Sequence, residues 1–483
     1  METMRMKKST LCGIMLSVVA VISLIAFGPQ NPLLLATLGL FLLISACLVP
    51  NASDHIFLLF FLATFFVFLL GRPIAEAFFG KYTPGTAALS AHAGDVMYGC
   101  LILSLLGIVA GYACPFLRVR QERRVLLPVA NTDGYRYAMR KIARFFVIIL
   151  YLFAAFENVD RLAYVAVVGY TNSFASYATS VPAVIHMAAE VAPIALAAYL
   201  ATLPPKRDMR LPILVYLAAA LIKLVTGYRY EIVSAVLLLA LYYIMRDKMD
   251  GRGSWVRRGA VLFFLLMIPA AVVGLQWVTA IRAGRPVEWT SDANPIVNFL
   301  YGVGGSSSLI GYAEMYKKEL SGHGGFYSFG RVMDALAGNA LGRLFSDAEV
   351  YPAQTAERAL YGHSLSAALT YQLYPKRYLS GYGLGSCYIA ELYYDFSFVG
   401  VFVGNCVIGR IIKRLRAITE DDFVRSFLCV FMTTLLFRIS RDTADYFLVE
   451  FIGIKNIAFA LGLHLLARHF SAGNRTILEG KSE

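Results

Sequence analysis

Five arginines stand where a membrane chain ordinarily avoids them. Arg229, Arg282, Arg285, Arg438 and Arg441 fall at the ends of long apolar runs, away from the ends where most other basic residues collect. A guanidinium is planar, never loses its proton and binds two oxygens of a phosphate at once. Arg282 and Arg285 lie in IRAGR, just past an apolar run, and Arg438 and Arg441 stand three apart, near one helical face. Such a set suits a diphosphate. The plainer reading is snorkelling side chains that meet lipid headgroups.

A second group lies in residues 362–400, GHSLSAALTYQLYPKRYLSGYGLGSCYIAELYYDFSFVG. Gly381, Gly383 and Gly385 precede Ser386 and then an apolar helix. A helix N-terminus has free N–H groups and a positive dipole, so it favours anions. Ser386 is placed to cap it, and a glycine-rich lead-in lets a ligand approach the backbone. With no βαβ context and no Gly-Lys-Ser/Thr, this is neither a dinucleotide nor a P-loop fingerprint. A simple turn into a helix explains it equally.

Glu391 and Asp395 follow, four residues apart on one face of that helix. A carboxylate near the bilayer is costly unless paired or functional. Glu391 can take a proton from a sugar hydroxyl, or it can form an ion pair that orients the bundle. His363 is the second candidate base; a lone loop histidine is more often neither base nor ligand. Tyr371, Tyr374, Tyr378, Tyr382, Tyr388, Tyr393 and Tyr394 crowd the same region, as an interfacial belt or as sugar platforms. Glu231, in TGYRYE, pairs with Arg229 in the simplest reading.

These groups need a membrane bundle to position them. The 483-residue chain is 58% hydrophobic and 16% charged, far from the balance of soluble domains. Apolar runs recur at 11–27, 32–49, 56–71, 96–116, 145–158, 182–203, 211–227, 231–245, 259–280, 388–409, 424–441 and 447–466. Backbone groups in lipid must pair internally, so the runs must be helices. The reading is an all-α polytopic membrane protein with about 12 transmembrane helices and a large helical external loop between helices 9 and 10. It divides into a nine-helix region at 1–280, the external loop at 281–387 and a three-helix region at 388–483.

With the N-terminus inside, the inner segments hold 27 Lys and Arg, against six in the short outer ones. The positive-inside tendency therefore puts both termini in the cytoplasm. It also accounts for the net charge of +13 without nucleic acid. Within the long loop, residues 331–345 space Val332, Leu336, Leu341, Leu344 and Phe345 as one face of a helix, which predicts a small helical cap at the membrane surface. Lys223 and Lys455 lie inside apolar runs without an evident reason. The outer segments lack a dense Asp/Glu cluster for Mg²⁺, and the seven cysteines show no metal-ligand spacing. No metal site, cofactor or disulfide framework is expected. No internal repeat is evident, which counts against a transporter.

The sequence resembles the Wzy O-antigen and polysaccharide repeat-unit polymerases. The resemblance rests on TGYRYE at 226–231, IRAGR at 281–285, GHSLSAALTYQLYP leading into GLGSCYIAELYYDFSFVGV at 383–401, and FRISRD at 437–442. One departure is Ser397, where a glycine commonly sits in the family. The resemblance implies a lipid-linked oligosaccharide glycosyltransferase in the bacterial cytoplasmic membrane. Its substrates would be undecaprenyl-diphosphate-linked glycans, its product O-antigen, capsule or exopolysaccharide, and its companions a chain-length regulator and a flippase. Transfer would take place on the outer face, without metal. A lipid-linked oligosaccharide flippase and an O-antigen ligase-like transferase are the alternatives.

Overall fold

The computed structural model describes residues 31–80, 88–113, 128–169, 173, 177, 179–226, 228–251, 255–256, 273–274, 294–320, 326–338, 349–415, 418 and 421–479, without the side chains of Arg229 and 472–479. Regular structure among them is helical throughout. Six helices are long and apolar enough to cross a bilayer: Pro32–Asn51, Ile56–Phe79, Ala91–Ala113, Asp133–Val168, Ala183–Ala201 and Tyr388–Arg414. Tyr446–Ile452 and Ile454–Ser471, bent by 42°, add a seventh if they form one span.

The runs at 211–227, 231–245 and 424–441 are also helical, as Lys206–Val225, Arg229–Asp250 and Phe423–Ile439. The first two carry charges near their ends, such as Arg210, Lys223, Glu231 and Arg246, and the third has only 17 residues. By length and composition the described residues therefore hold six or seven clear spans of the twelve expected. The runs expected at 11–27 and, apart from 273–274, 259–280 lie outside them. Asp133–Val168 has 36 residues, about 54 Å of helix, so it projects well past a hydrocarbon core of about 30 Å. The run expected at 145–158 is only its middle.

Loops rich in Lys and Arg gather at one end of the bundle. Lys248 pairs with Asp54, Phe423 N–H donates to Asn131 at 2.8 Å, Arg140 donates to the Thr202 carbonyl at 2.8 Å, and Tyr135 meets His464 at 2.8 Å. Elsewhere, the two unexplained lysines are ion-paired. Lys223 binds Glu231 at 2.6 Å and Lys455 binds Glu190 at 2.7 Å. Glu231 thus has Lys223 as a partner; the side chain of Arg229, the partner expected from the sequence, lies outside what is described. The lysine reaches Glu231 across the tight turn between two helices.

Ala91–Ala113 and the second half of Tyr388–Arg414 run parallel in backbone contact. A Cβ on Gly111 would lie 1.9 Å from the Cys406 carbonyl oxygen, and one on Gly409 would lie 2.1 Å from that of Ile108. Membrane helices lack a hydrophobic drive to associate, so close approach at small residues supplies the packing. Buried Asn405 stitches the contact by donating to Ser104 at 3.1 Å.

The Tyr388–Arg414 stretch is not straight. Ser397 adopts φ 55, ψ −157, close to a region nearly reserved for glycine. Tyr388 Oη donates to Asn405 Oδ1 at 2.7 Å, although a straight helix would hold these residues about 25 Å apart. Leu392 also touches Gly404. Residues 388–396 therefore form a half-helix folded back along 398–414, so Tyr388–Arg414 reaches the length of a span only with its two limbs taken together, the second about 25 Å long.

The segment expected as the large loop is helical where described, with Pro295–Val303, Ser308–Met315, Lys317–Leu320, Gly330–Gly338, Ala356–Tyr361, Leu365–Leu373 and Pro375–Leu379. This cap docks on the end of the bundle away from the basic loops. Arg72 donates to the Tyr301 carbonyl at 3.1 Å, and Tyr393 donates to Glu314 at 2.7 Å. Gly330–Gly338 realises the first half of the helix expected at 331–345. Its Leu336 is 54% exposed, and Leu341, Leu344 and Phe345 lie outside the described residues.

Candidate functional site

The folded-back half-helix sets two carboxylates against two different segments. Glu391 is 1% exposed, and its Oε2 accepts from the Ala444 N–H at 2.8 Å. Asp395, one turn on, accepts from the N–H groups of Tyr327 at 3.2 Å and Ser328 at 2.7 Å. The first contact holds the turn at 440–446 and the second holds the cap. The half-helix starts after Cys387, which occupies the cap position with no side-chain hydrogen bond. Ser386, expected as the cap, lies one residue too early. Gly381 and Gly385 do adopt left-handed backbone, at φ 100 and φ 86, and turn the chain into the helix.

Around Glu391 the structure assembles a charged cluster. Asp442 pairs with Arg438 one helical turn before it and with Arg331 of the cap at 3.0 Å. Arg438 also donates to the hydroxyls of Tyr230 at 2.9 Å and Tyr446 at 3.1 Å. Its guanidinium carbon lies 4.6 Å and 4.4 Å from the centres of those two rings, within cation–π range. Arg331 lies 5.1 Å from the Tyr446 ring. Asp445 accepts from the Val332 N–H at 2.9 Å, and its burial in the turn pushes its carboxyl above the usual range, with Val332 and Arg331 opposing.

Arg441 is exposed, with its guanidinium 5.7 Å from the Phe68 ring. Of the two expected arginines whose side chains are described, Arg441 is the more exposed, and Arg438 pairs with Asp442. His363 is half-buried and enters through its backbone. A Cβ on Gly330 would lie 1.8 Å from the His363 carbonyl oxygen, so His363 sits against the first residue of the helix that carries Arg331. Arg282 and Arg285 lie outside the described residues, as does the side chain of Arg229.

The structure thus brings Glu391 and Arg438 together around the 440–446 turn, and His363 onto the helix that supplies Arg331. The sequence reading missed Arg331, Asp442 and Asp445. Asp442 was within reach, since it closes the FRISRD motif. Arg331 had only its place at the start of a cap helix, and nothing in the local pattern points to a partner so far along the chain.

The tyrosines divide. Tyr371 and Tyr378 pack edge to face at 5.8 Å, and Tyr374 and Tyr382 at 5.9 Å, with Arg377 5.6 Å from the Tyr374 ring. Tyr388 and Tyr393 are buried, the first bonded to Asn405 and the second to Glu314 of the cap, so they do not form an interfacial belt. Among the described residues no group of three or more His, Cys, Asp or Glu side chains has the geometry to hold a metal ion.

No curated protein and no solved structure matches the chain. The model of one family, described as O-antigen polysaccharide polymerase Wzy, matches residues 10–474. With nearly the whole sequence covered, the chain belongs to the Wzy O-antigen polysaccharide polymerase family.

Proposed function

We propose that the protein joins undecaprenyl-diphosphate-linked repeat units into O-antigen, capsule or exopolysaccharide by metal-independent glycosyl transfer on the outer face of the cytoplasmic membrane. Membership in the family makes it a membrane polymerase of lipid-linked repeat units. The reading places both termini in the cytoplasm, beside the basic loops, and the cap outside. It is supported by the separation of Glu391, Arg331, Arg438 and Arg441 from the end where Lys248, Arg140 and Asn131 are tied together.

In the reaction the bond between the donor's anomeric carbon and its diphosphate breaks. The diphosphate leaves with the electron pair. An acceptor hydroxyl oxygen bonds to that carbon, and its proton passes to a base. The main demand is to stabilise charge growing on the leaving group. Arg282, Arg285, Arg229 and Arg441 are assigned to the diphosphate, with Arg438 acting through its field while Asp442 holds it. Glu391 is assigned as base and His363 as the second candidate. Glu391 is shielded by the 440–446 turn, so the acceptor reaches it only when that turn opens.

The test is glycan chain length in a deletion strain complemented with wild type, Arg282→Ala, Arg285→Ala or Arg441→Ala. Loss of long chains with single repeats still displayed outside is the expected result for the deletion, and failure to rescue is expected for the variants at normal expression. Normal chains from all three variants would sink the site assignment. Repeats trapped inside would indicate a flippase, and unchanged chain length with defective attachment a ligase.

A further inference from the structure

The end of the bundle opposite Glu391 holds a cavity that glycan polymerisation does not use. Its volume is about 600 Å³, within the usual range for small-ligand sites. Four elements line it, one of them the short helix that ends at Asn131. The start of Asp133–Val168 supplies Asp133, Arg136 and Arg140, the turn after Ala192–Ala201 supplies Thr202, and the end of Arg229–Asp250 supplies Arg246. Three guanidiniums thus face one carboxylate.

Two of these guanidiniums are fixed. Arg140 donates to the Thr202 carbonyl at 2.8 Å and to its hydroxyl at 3.4 Å. Arg246 lies 4.5 Å from the Trp255 ring, which sets the plane of its fork, and its Nε is buried with no hydrogen-bond partner among the described residues. With that Nε out of reach of the cavity, the rest of the fork is what Arg246 brings to the lining. Planar forks converging from different helices match the oxygens of a phosphate.

Phe145, Leu152 and Phe156 of Asp133–Val168 are 58%, 53% and 57% exposed, so this helix borders lipid on a side away from the cavity. Basic pockets between membrane helices at the cytoplasmic side hold anionic headgroups.

We infer that this cavity binds the phosphate of an anionic phospholipid headgroup, of the phosphatidylglycerol or cardiolipin class. Soluble phosphate shares the headgroup chemistry but not the chains. The site is independent of the polymerase assignment.

The test uses the full-length protein in phosphatidylcholine nanodiscs. Melting temperature is followed as cardiolipin, phosphatidylglycerol or inorganic phosphate is added, for wild type, Arg140→Gln/Arg246→Gln and Arg246→Lys. Native mass spectrometry counts retained lipids. Anionic lipid is expected to raise the wild-type melting temperature and to stay bound. Arg246→Lys keeps the charge but loses the fork, and is expected to bind on the order of tenfold more weakly, which keeps the test open if the double variant does not fold. An equal rise with inorganic phosphate alone would retain the phosphate site and assign it to a soluble anion. No rise with either, or the same affinity in both variants, would overturn the inference.

Discussion

The guanidinium of Arg331 lies 3.0 Å from the carboxylate of Asp442, and this ion pair ties the cap to the turn that covers Glu391. Arg331 is 38% exposed and Asp442 only 6%, so the pair sits at the edge of water. Its coupling, measured in a double-mutant cycle of Arg331→Met and Asp442→Asn, should be about 1 kcal/mol. Each single variant should also shorten the glycan by loosening the cap. Strictly additive melting shifts would show that the pair does not hold the cap.

Glu391→Gln separates chemistry from architecture. Glutamine keeps an oxygen for the Ala444 N–H but cannot act as a base. If Glu391 takes the acceptor's proton, polymerisation should fall by about 100-fold or more, with little change in melting temperature. Full activity would leave Glu391 as a structural acceptor only. The contrast is Asp395, whose oxygens receive the Tyr327 and Ser328 N–H groups. Asp395→Asn should be mild, whereas Asp395→Ala leaves buried donors unpaired and should cost about 1–3 kcal/mol.

Ser397 holds a backbone conformation that glycine adopts freely. Ser397→Gly should raise stability by about 1 kcal/mol, read as a higher melting temperature with activity retained. Ser397→Ala keeps the Cβ and should give no such gain. Equal melting temperatures for the three proteins would mean that the reversal costs nothing.

Asp445 gives the fold a pH dependence. Its carboxyl is held above the usual range by burial, so the folded protein binds this proton more tightly than the unfolded chain. The associated stability is full below the ordinary aspartate value of about 4 and is lost as pH rises from there through the raised value. Asp445→Asn should flatten that part of the curve. Melting temperatures measured across mildly acidic pH check it, and an unchanged slope in Asp445→Asn would assign the dependence to other groups.

Much of the architecture was legible because lipid leaves few choices. Apolar runs must be helices, and the positive-inside tendency marked as one group the loops that Lys248, Arg140 and Phe423 tie together. The 362–401 stretch was legible as a site because it concentrates glycines, carboxylates and tyrosines. Span count was less legible, since helices such as Lys206–Val225 carry charges near their ends that hydropathy cannot place. The reversal at Ser397 was hidden because the more polar stretch before it, with Glu391 and Asp395, reads equally as the entrance to one straight span. Its one signal was the glycine usual at that position, and the structure gives the reason in the backbone angle rather than in helix packing. Arg331 was hidden because its partner is set by tertiary contact alone.

The placement of Glu391 against Ala444 and of Arg331 against Asp442 also sets an order of assembly during synthesis. Each earlier group waits for a partner made later. Until the ribosome has passed the 440–446 turn, the half-helix that carries Glu391 lacks its clasp and the cap lacks its anchor. A chain stopped before Asp442 would keep Glu391, His363 and Arg331, yet it would hold them without the shared turn that makes them one site.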